Sequence, residues 1–244
     1  MERSGFTIDS LDGYRAQGAY RYAITLGKQR QGSGESSREL WESQMEQSNS
    51  AVSRLDALWQ AYQDCQRCAL AASRSRVVFG HGRPGAPLFL LAERIGEMDE
   101  YTGRPFSGPA GDLLARILAA PQVEISADDI YLSNLVLCRA LNNRSPRAAE
   151  MRACRERLAQ EIQLVGPQLL VVLGRLPWQQ LLGGKGALER QRGWYRTPDG
   201  LAAYVTFNPA SALHGEAYAI RRKKLLIYED WRAIAVAYRG LLET

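Results

Sequence analysis

Two histidines and four cysteines are the only imidazole and thiol metal donors that this 244-residue chain offers. That scarcity excludes a disulfide-stapled scaffold and a histidine-rich metal centre. No apolar run approaches the ~20 residues that cross a bilayer, and the first ten residues mix charges without the apolar stretch of a signal peptide. A membrane partner is therefore not expected, and the chain reads as cytoplasmic. Neither sign of charge dominates, with 31 Lys+Arg against 26 Asp+Glu. What remains is 45% apolar and 9% aromatic, enough to bury one sizeable core.

The charge is unevenly distributed. Residues 1–50 hold 6 basic and 7 acidic side chains, which leaves 25 and 19, a net +6, for residues 51–244. A moderately basic folded region suits a polyanionic partner, although many enzymes are equally basic. Residues 1–50 are expected to be an N-terminal extension. Tyr14, Tyr20 and Tyr22 sit in a short docking segment, and the Gly/Ser/Glu-rich stretch 29–50 reads as a flexible linker. Residues 51–244 form the domain proper. It opens on a helix whose Val52, Leu55, Leu58, Trp59 and Tyr62 recur at helical spacing and lead into Cys65-x-x-Cys68.

Four short apolar runs follow, at 87–91, 130–137, 168–173 and 202–207, separated by helical patterns at 111–119, 146–165 and 176–182 and closed by a helix at 217–242. Ser145 is expected to cap the second of these helices, with Pro146 in its first turn. Strands apolar on both faces that alternate with helices predict an α/β fold with a parallel sheet covered on both sides, and ligands of such sheets sit at the C-terminal strand ends. The loop after the first strand carries Glu93, Glu97, Asp99, Glu100 and Phe106. The second strand runs through Asn134 towards Cys138, and the fourth into Asn208-Pro209. A planar ring, side-chain amides and carboxylates at one crevice suit gripping a flat, amide-edged ligand and hydrolysing a bond to it.

The cysteines at 65, 68, 138 and 154 make a metal or cluster site the natural reading, and their spacing alone leaves zinc and an iron-sulfur cluster both open. Gly80-x-Gly82-x-x-Gly85 imitates a dinucleotide fingerprint but precedes a strand and is broken by Pro84, and Gly183-Gly184-Lys185 lacks the rest of a phosphate loop. No nucleotide cofactor is expected.

Taken together, Cys65-x-x-Cys68, Val77-Val78-Phe79-Gly80, Thr102-Gly103-Arg104-Pro105-Phe106-x-Gly108-x-Ala110-Gly111-x-Leu113-Leu114, Tyr131-x-x-Asn134-x-Val136-x-Cys138-Arg139, Asn143-Arg144-x-Pro146, Cys154 and Leu173-Gly174 resemble the iron-sulfur, family 4 uracil-DNA glycosylases over about residues 52–240. The resemblance implies a three-layer αβα sandwich around a four-stranded parallel sheet, a structural [4Fe-4S] cluster on Cys65, Cys68, Cys138 and Cys154, and DNA containing a modified base as the partner of a monomer. It assigns Phe106 to stacking on a flipped base, Asn134 and Gly96 to base binding, and Asp99, with Glu93 and Glu97 as further matched acids, to water activation. Pro209, Ser211 and Leu213 match the segment that relatives insert into the duplex, with Leu213 as the wedge. Arg104 and the run Arg221, Arg222, Lys223 and Lys224 complete the expected DNA surface.

The chain departs from that family inside the base pocket. Where relatives have Gly-Glu-x-Pro-Gly, this chain has Ala92-Glu93-Arg94-Ile95-Gly96, and where they carry a histidine before the last motif's proline it has Asn208. A histidine there stabilises the departing base anion, and losing such a donor costs ~10² to 10³ in rate. The expected function is a monofunctional DNA glycosylase for deaminated or modified pyrimidines, with uracil as the family default, in repair. The alternatives are removal of a bulky modified cytosine from phage DNA as antiviral defence, a non-cutting reader of modified bases, and a zinc-stabilised interaction domain.

Overall fold

The computed structural model describes residues 35–243. The docking segment expected around Tyr14 to Tyr22 lies outside them. Helix α1, Glu35–Tyr62, begins well before the expected start at residue 51, so residues 35–50, read from composition as linker, are helical instead. The Glu- and Gln-rich stretch is depleted in Gly and Pro beyond residue 34, and such residues are good helix formers even where they have little to bury. Farther along α1, Leu55, Leu58 and Tyr62 are buried while Val52 faces solvent.

The centre is a sheet of strands β1, Leu88–Ala92; β2, Ile130–Asn134; β3, Leu169–Leu173; β4, Gly193–Arg196; and β5, Ala202–Thr206. Their order is β2-β1-β3-β5-β4. The expected parallel set is present as β2, β1, β3 and β5, but the sheet has five strands rather than four, because β4 adds an antiparallel edge on β5. Strands β1, β2 and β3 are buried along their whole length, which is why each reads as an unbroken apolar run. Strand β2 stops at Asn134 rather than 137. The residues beyond it stay buried but leave the sheet, and Leu137 O instead accepts from Val78 N at 2.8 Å.

Helices α2, Glu97–Thr102; α3, Pro109–Leu118; α4, Ala148–Val165; α5, Arg175–Leu182; and α6, Ala217–Leu242 flank the sheet. Helix α1 packs against α4, and α3 against α6. Helix α4 starts two residues later than expected. Its first turn is closed by Glu150, which accepts from Arg147 N at 2.7 Å, so Ser145 is not its cap. The glycines that imitate nucleotide motifs have local reasons. A Cβ at Gly80 or Gly82 would collide with Tyr131, and one at Gly184 with the Trp178 ring. Among the described residues no helix is long and apolar enough to cross a membrane.

Candidate active site

The chain leaves β1 for β2 on one side and reaches β3 on the other, so the sheet's switch point lies at the C-terminal ends of β1 and β3. Three of the expected residues hang from this end. Glu93 follows β1, Asn134 ends β2 as the register partner of Ala92, and Asn208 follows β5. Gly174, at φ +105, follows β3, and a Cβ there would sit 3.4 Å from Asn208 Cβ, so the bare backbone lets β3 and the Asn208 loop approach.

Asn134 is only 2% exposed, and its Oδ1 is buried without a hydrogen-bond partner among the described residues. A buried orphan acceptor costs about 1–3 kcal/mol, so it marks a place where a donor is missing. One strand away, Glu93 is half-buried. Its Oε1 accepts from Ser145 Oγ at 2.7 Å and lies 3.5 Å from Arg94 Nε, while Oε2 has no partner among the described residues. Ser145, read from sequence as a cap, is thus a neighbour of the strand-end carboxylate that sequence reasoning missed. The motif Asn143-Arg144-x-Pro146 pointed at the segment without pointing at this side chain.

The remaining acids separate. Asp99 binds both ends of its own loop, with Oδ2 accepting from Gly96 N at 2.9 Å and Oδ1 from Ser107 N at 2.7 Å. Burial holds its carboxyl above the usual carboxylate range despite those two N–H groups. Glu97 is exposed and pairs with Arg139 at 3.4 Å. Glu100, named from sequence among the loop's carboxylates but given no role, is buried; it accepts from Ser75 N at 2.9 Å and faces Arg139 at 3.5 Å. Gly96 caps α2 at a close 3.3 Å between its would-be Cβ and the Asp99 carboxylate.

Phe106 is buried in the main core and adopts a left-handed backbone, φ 60. For a bulky side chain that conformation costs of order 1–3 kcal/mol and persists only where the surroundings fix it. The fixing groups are adjacent: Asp99 holds Ser107 N, and the Ser107 hydroxyl donates to Arg104 O at 2.9 Å and accepts from Thr102 Oγ1 at 2.8 Å.

At β5, Asn208 caps the short 3-10 turn Pro209–Ala212, its Oδ1 accepting from Ala210 N at 2.9 Å. That bond orients the amide and leaves its NH2 without a protein partner among the described residues. Lys223 donates to Ser211 O at 3.1 Å and stands 5.5 Å above the Phe207 ring, while Arg222 pairs with Glu189. Of the four-cation run, Arg221, Arg222 and Lys224 are exposed and Lys223 is half-buried. Leu213 is half-buried against the core, and Pro209 is buried. Arg104 is also partly buried, on the loop that carries Phe106.

The four cysteines lie after α1, beyond β2 and on α4, and all are free thiols. Cys65, Cys68 and Cys154 each act electrostatically on Cys138, whose thiol burial pushes up to about 12. Among the described residues no three donors close tightly enough to hold a single metal ion.

The uracil DNA glycosylase superfamily model matches residues 79–232, which include every strand and the strand-end residues. The chain is 30% identical over 194 residues to a type-4 uracil-DNA glycosylase of Saccharolobus solfataricus, covering 76% of this chain and 87% of that protein. To the type-4 uracil-DNA glycosylase of Thermotoga maritima it is 33% identical over 171 residues, 68% of this chain and 85% of the relative. A type-5 uracil-DNA glycosylase of Pyrobaculum aerophilum matches more narrowly, 29% over 123 residues, 45% of this chain and 54% of its own length. With an α/β sheet whose C-terminal strand ends carry Glu93, Asn134 and Asn208, and with this family match over most of its length, the chain belongs to the uracil DNA glycosylase superfamily.

Proposed function

We propose that this DNA glycosylase flips uracil out of DNA and hydrolyses its N-glycosidic bond to leave an abasic site. The observation that carries the reading is the buried, unpartnered Asn134 Oδ1 one strand from Glu93. The edge of uracil presents an N3–H between two carbonyls, and that donor is what the orphan acceptor lacks. Phe106, held rigidly by its loop, gives the base a flat apolar neighbour.

In the cleavage step the C1′–N1 bond breaks and its electron pair departs with the base, leaving an oxocarbenium-like sugar. Asn208, its amide turned by the Ala210 contact, donates to the carbonyl oxygen where the negative charge collects. Glu93 orients the attacking water and takes its proton, since one oxygen is fixed by Ser145 and the other is open. Asp99, put first from sequence, commits both oxygens to backbone N–H groups, which supports a role in holding the loop and its charge rather than in touching water.

Cys65, Cys68, Cys138 and Cys154 would hold a [4Fe-4S] cluster. The donor set is all thiol, which suits a cubane, and the four groups lie near enough to act on one another through charge. Bound there, the cluster would supply structural cross-linking between the end of α1, the segment after β2 and α4. Arg94 and the fully buried Ile95 replace a small residue and a proline in the base loop, and they favour a second reading, a pocket rebuilt for a modified cytosine.

Mass spectrometry of bases released from uracil-containing and modified-cytosine duplexes tests both readings, with Glu93→Gln as control. Uracil release lost by about 10² or more in the control supports the first. Release of modified cytosine alone supports the second, and release of neither sinks both.

A further inference from the structure

A charged cluster lies completely inside the protein, directly behind the base-reading strand. Arg157 and Glu161, one turn apart on α4, are both 0% exposed. Burying two ions is costly unless every lone pair and proton is matched, so such a pair is weak evidence of stability for its own sake. Replacing it with apolar side chains is often neutral or stabilising. Its partners say what else it does.

Arg157 Nη1 donates to Glu161 and to Ser133 Oγ, the latter at 3.2 Å, while Nη2 donates to Asn134 O at 2.8 Å and to Leu135 O at 3.2 Å. Glu161 is held in turn by Ser133 Oγ at 2.6 Å and Tyr131 OH at 2.9 Å. All the bonds of this fork to β2 and its exit fall on three consecutive residues, with Asn134 in the middle. At this point the chain leaves the sheet, because Leu135 N still bonds Ala92 O while the next residues turn away. The carbonyls of Asn134 and Leu135 therefore lose regular ladder partners, and the guanidinium supplies replacements.

We infer that Arg157 is a positioning residue for base recognition: its guanidinium, neutralised by Glu161, pins the peptide groups on either side of the Asn134 side chain and so fixes where the Asn134 amide meets the base. The inference rests on the base-reading role proposed for Asn134. A planar fork is required, because a lysine at 157 reaches Glu161 with one ammonium but cannot bridge two successive carbonyls. Gly80 belongs to the same device, since any side chain there would strike the Glu161 carboxylate and the Tyr131 ring.

The test is a double-mutant cycle on the purified, iron-loaded protein, with single-turnover uracil release, affinity for undamaged duplex and melting temperature all read. Arg157→Lys is expected to lower the cleavage rate about 10- to 100-fold, as a misplacement near 1 Å does, with affinity for undamaged duplex unchanged. In an Asn134→Ala background the same substitution is expected to change the rate less than about twofold, because the group it positions is gone. Equal losses in both backgrounds, or an Arg157→Lys protein as fast as the parent, overturn the inference. Asn134→Ala cleaving at the parental rate instead removes the base-reading role itself, a result distinct from additive losses. If Arg157→Lys does not fold, Glu161→Gln, which keeps the side-chain length but removes the countercharge and turns one acceptor oxygen into a donor, takes its place and is judged by the same dependence on Asn134.

Discussion

At Asn208 two jobs share one side chain: Oδ1 caps the turn through Ala210 N, and the NH2 faces away. The two can be separated chemically. Asn208→Asp retains an acceptor for Ala210 but removes the donor and adds a charge opposed to the departing base. Its melting temperature is expected to stay within about 2 °C of the parent while the cleavage rate falls ~10² to 10³. Asn208→Ala, which loses the cap as well, is expected to be both slower and less stable by about 0.5–2 kcal/mol. Thermal melts beside single-turnover rates check both. From sequence this residue was visible as an amide at the end of the fourth strand, in the place where relatives carry a histidine. The free donor could not be read there, because it depends on which way the amide is turned.

Asp99 shows how the residue scale passes into the element scale. Helix α2 and the loop to Phe106 close on its carboxylate, so Asp99→Asn places an NH2 against one of two backbone N–H groups. Losing that bond inside a half-buried loop is expected to cost about 1–3 kcal/mol at neutral pH. Burial raises this carboxyl, so the folded protein binds the proton more tightly than the unfolded chain does. Its contribution to stability is therefore full below the ordinary carboxylate value near 3.8 and declines as the pH climbs through the raised one. Melts taken from pH 3 upward are expected to show that decline in the parent and a flatter curve in Asp99→Asn.

The cysteine elements give a further prediction. Cys138→Ala is expected to abolish visible iron-sulfur absorbance and to lower the melting temperature. If the proposed cluster is bound, chelating its iron is expected to do the same, because the links it would make between α1, the segment after β2 and α4 are lost together. Elements were legible in the sequence in proportion to their burial. Strands β1, β2, β3 and β5 announced themselves as apolar runs because β1 to β3 are covered on both faces. Strand β4 did not, since it is four residues long, alternates half-buried with exposed positions and lies at an edge. The overlong reading of β2 has the complementary cause: Leu135, Val136 and Leu137 are as buried as the strand, and burial alone carries no information about hydrogen-bond partners.

Across the whole molecule, the excess of positive charge in residues 51–244 has to act on a polyanion through side chains that remain in solvent. Arg221 and Lys224 meet that condition without an ion-pair partner among the described residues, Arg222 is exposed but paired with Glu189, and Lys223 is turned to Ser211. Replacing Arg221 or Lys224 with Ala is expected to weaken binding to duplexes of any sequence and to reduce the slope of log K against log salt by about 0.9 for each phosphate left without its cation. An unchanged slope in the double variant would place the DNA elsewhere on the surface.

The amino-acid order alone determined the parallel sheet, the helices between its strands, the four-thiol set and the strand ends as the place to look. Each of these follows from local periodicity or from residue type. The tertiary structure alone decided which carboxylate stands open beside the end of β2, that Ser145 bonds it, and that Arg157, one of several arginines in a charged stretch of α4, is wholly interior. Exposure and partnership are properties of distant segments brought together, and a charged residue has the same letter in solvent as beneath a sheet.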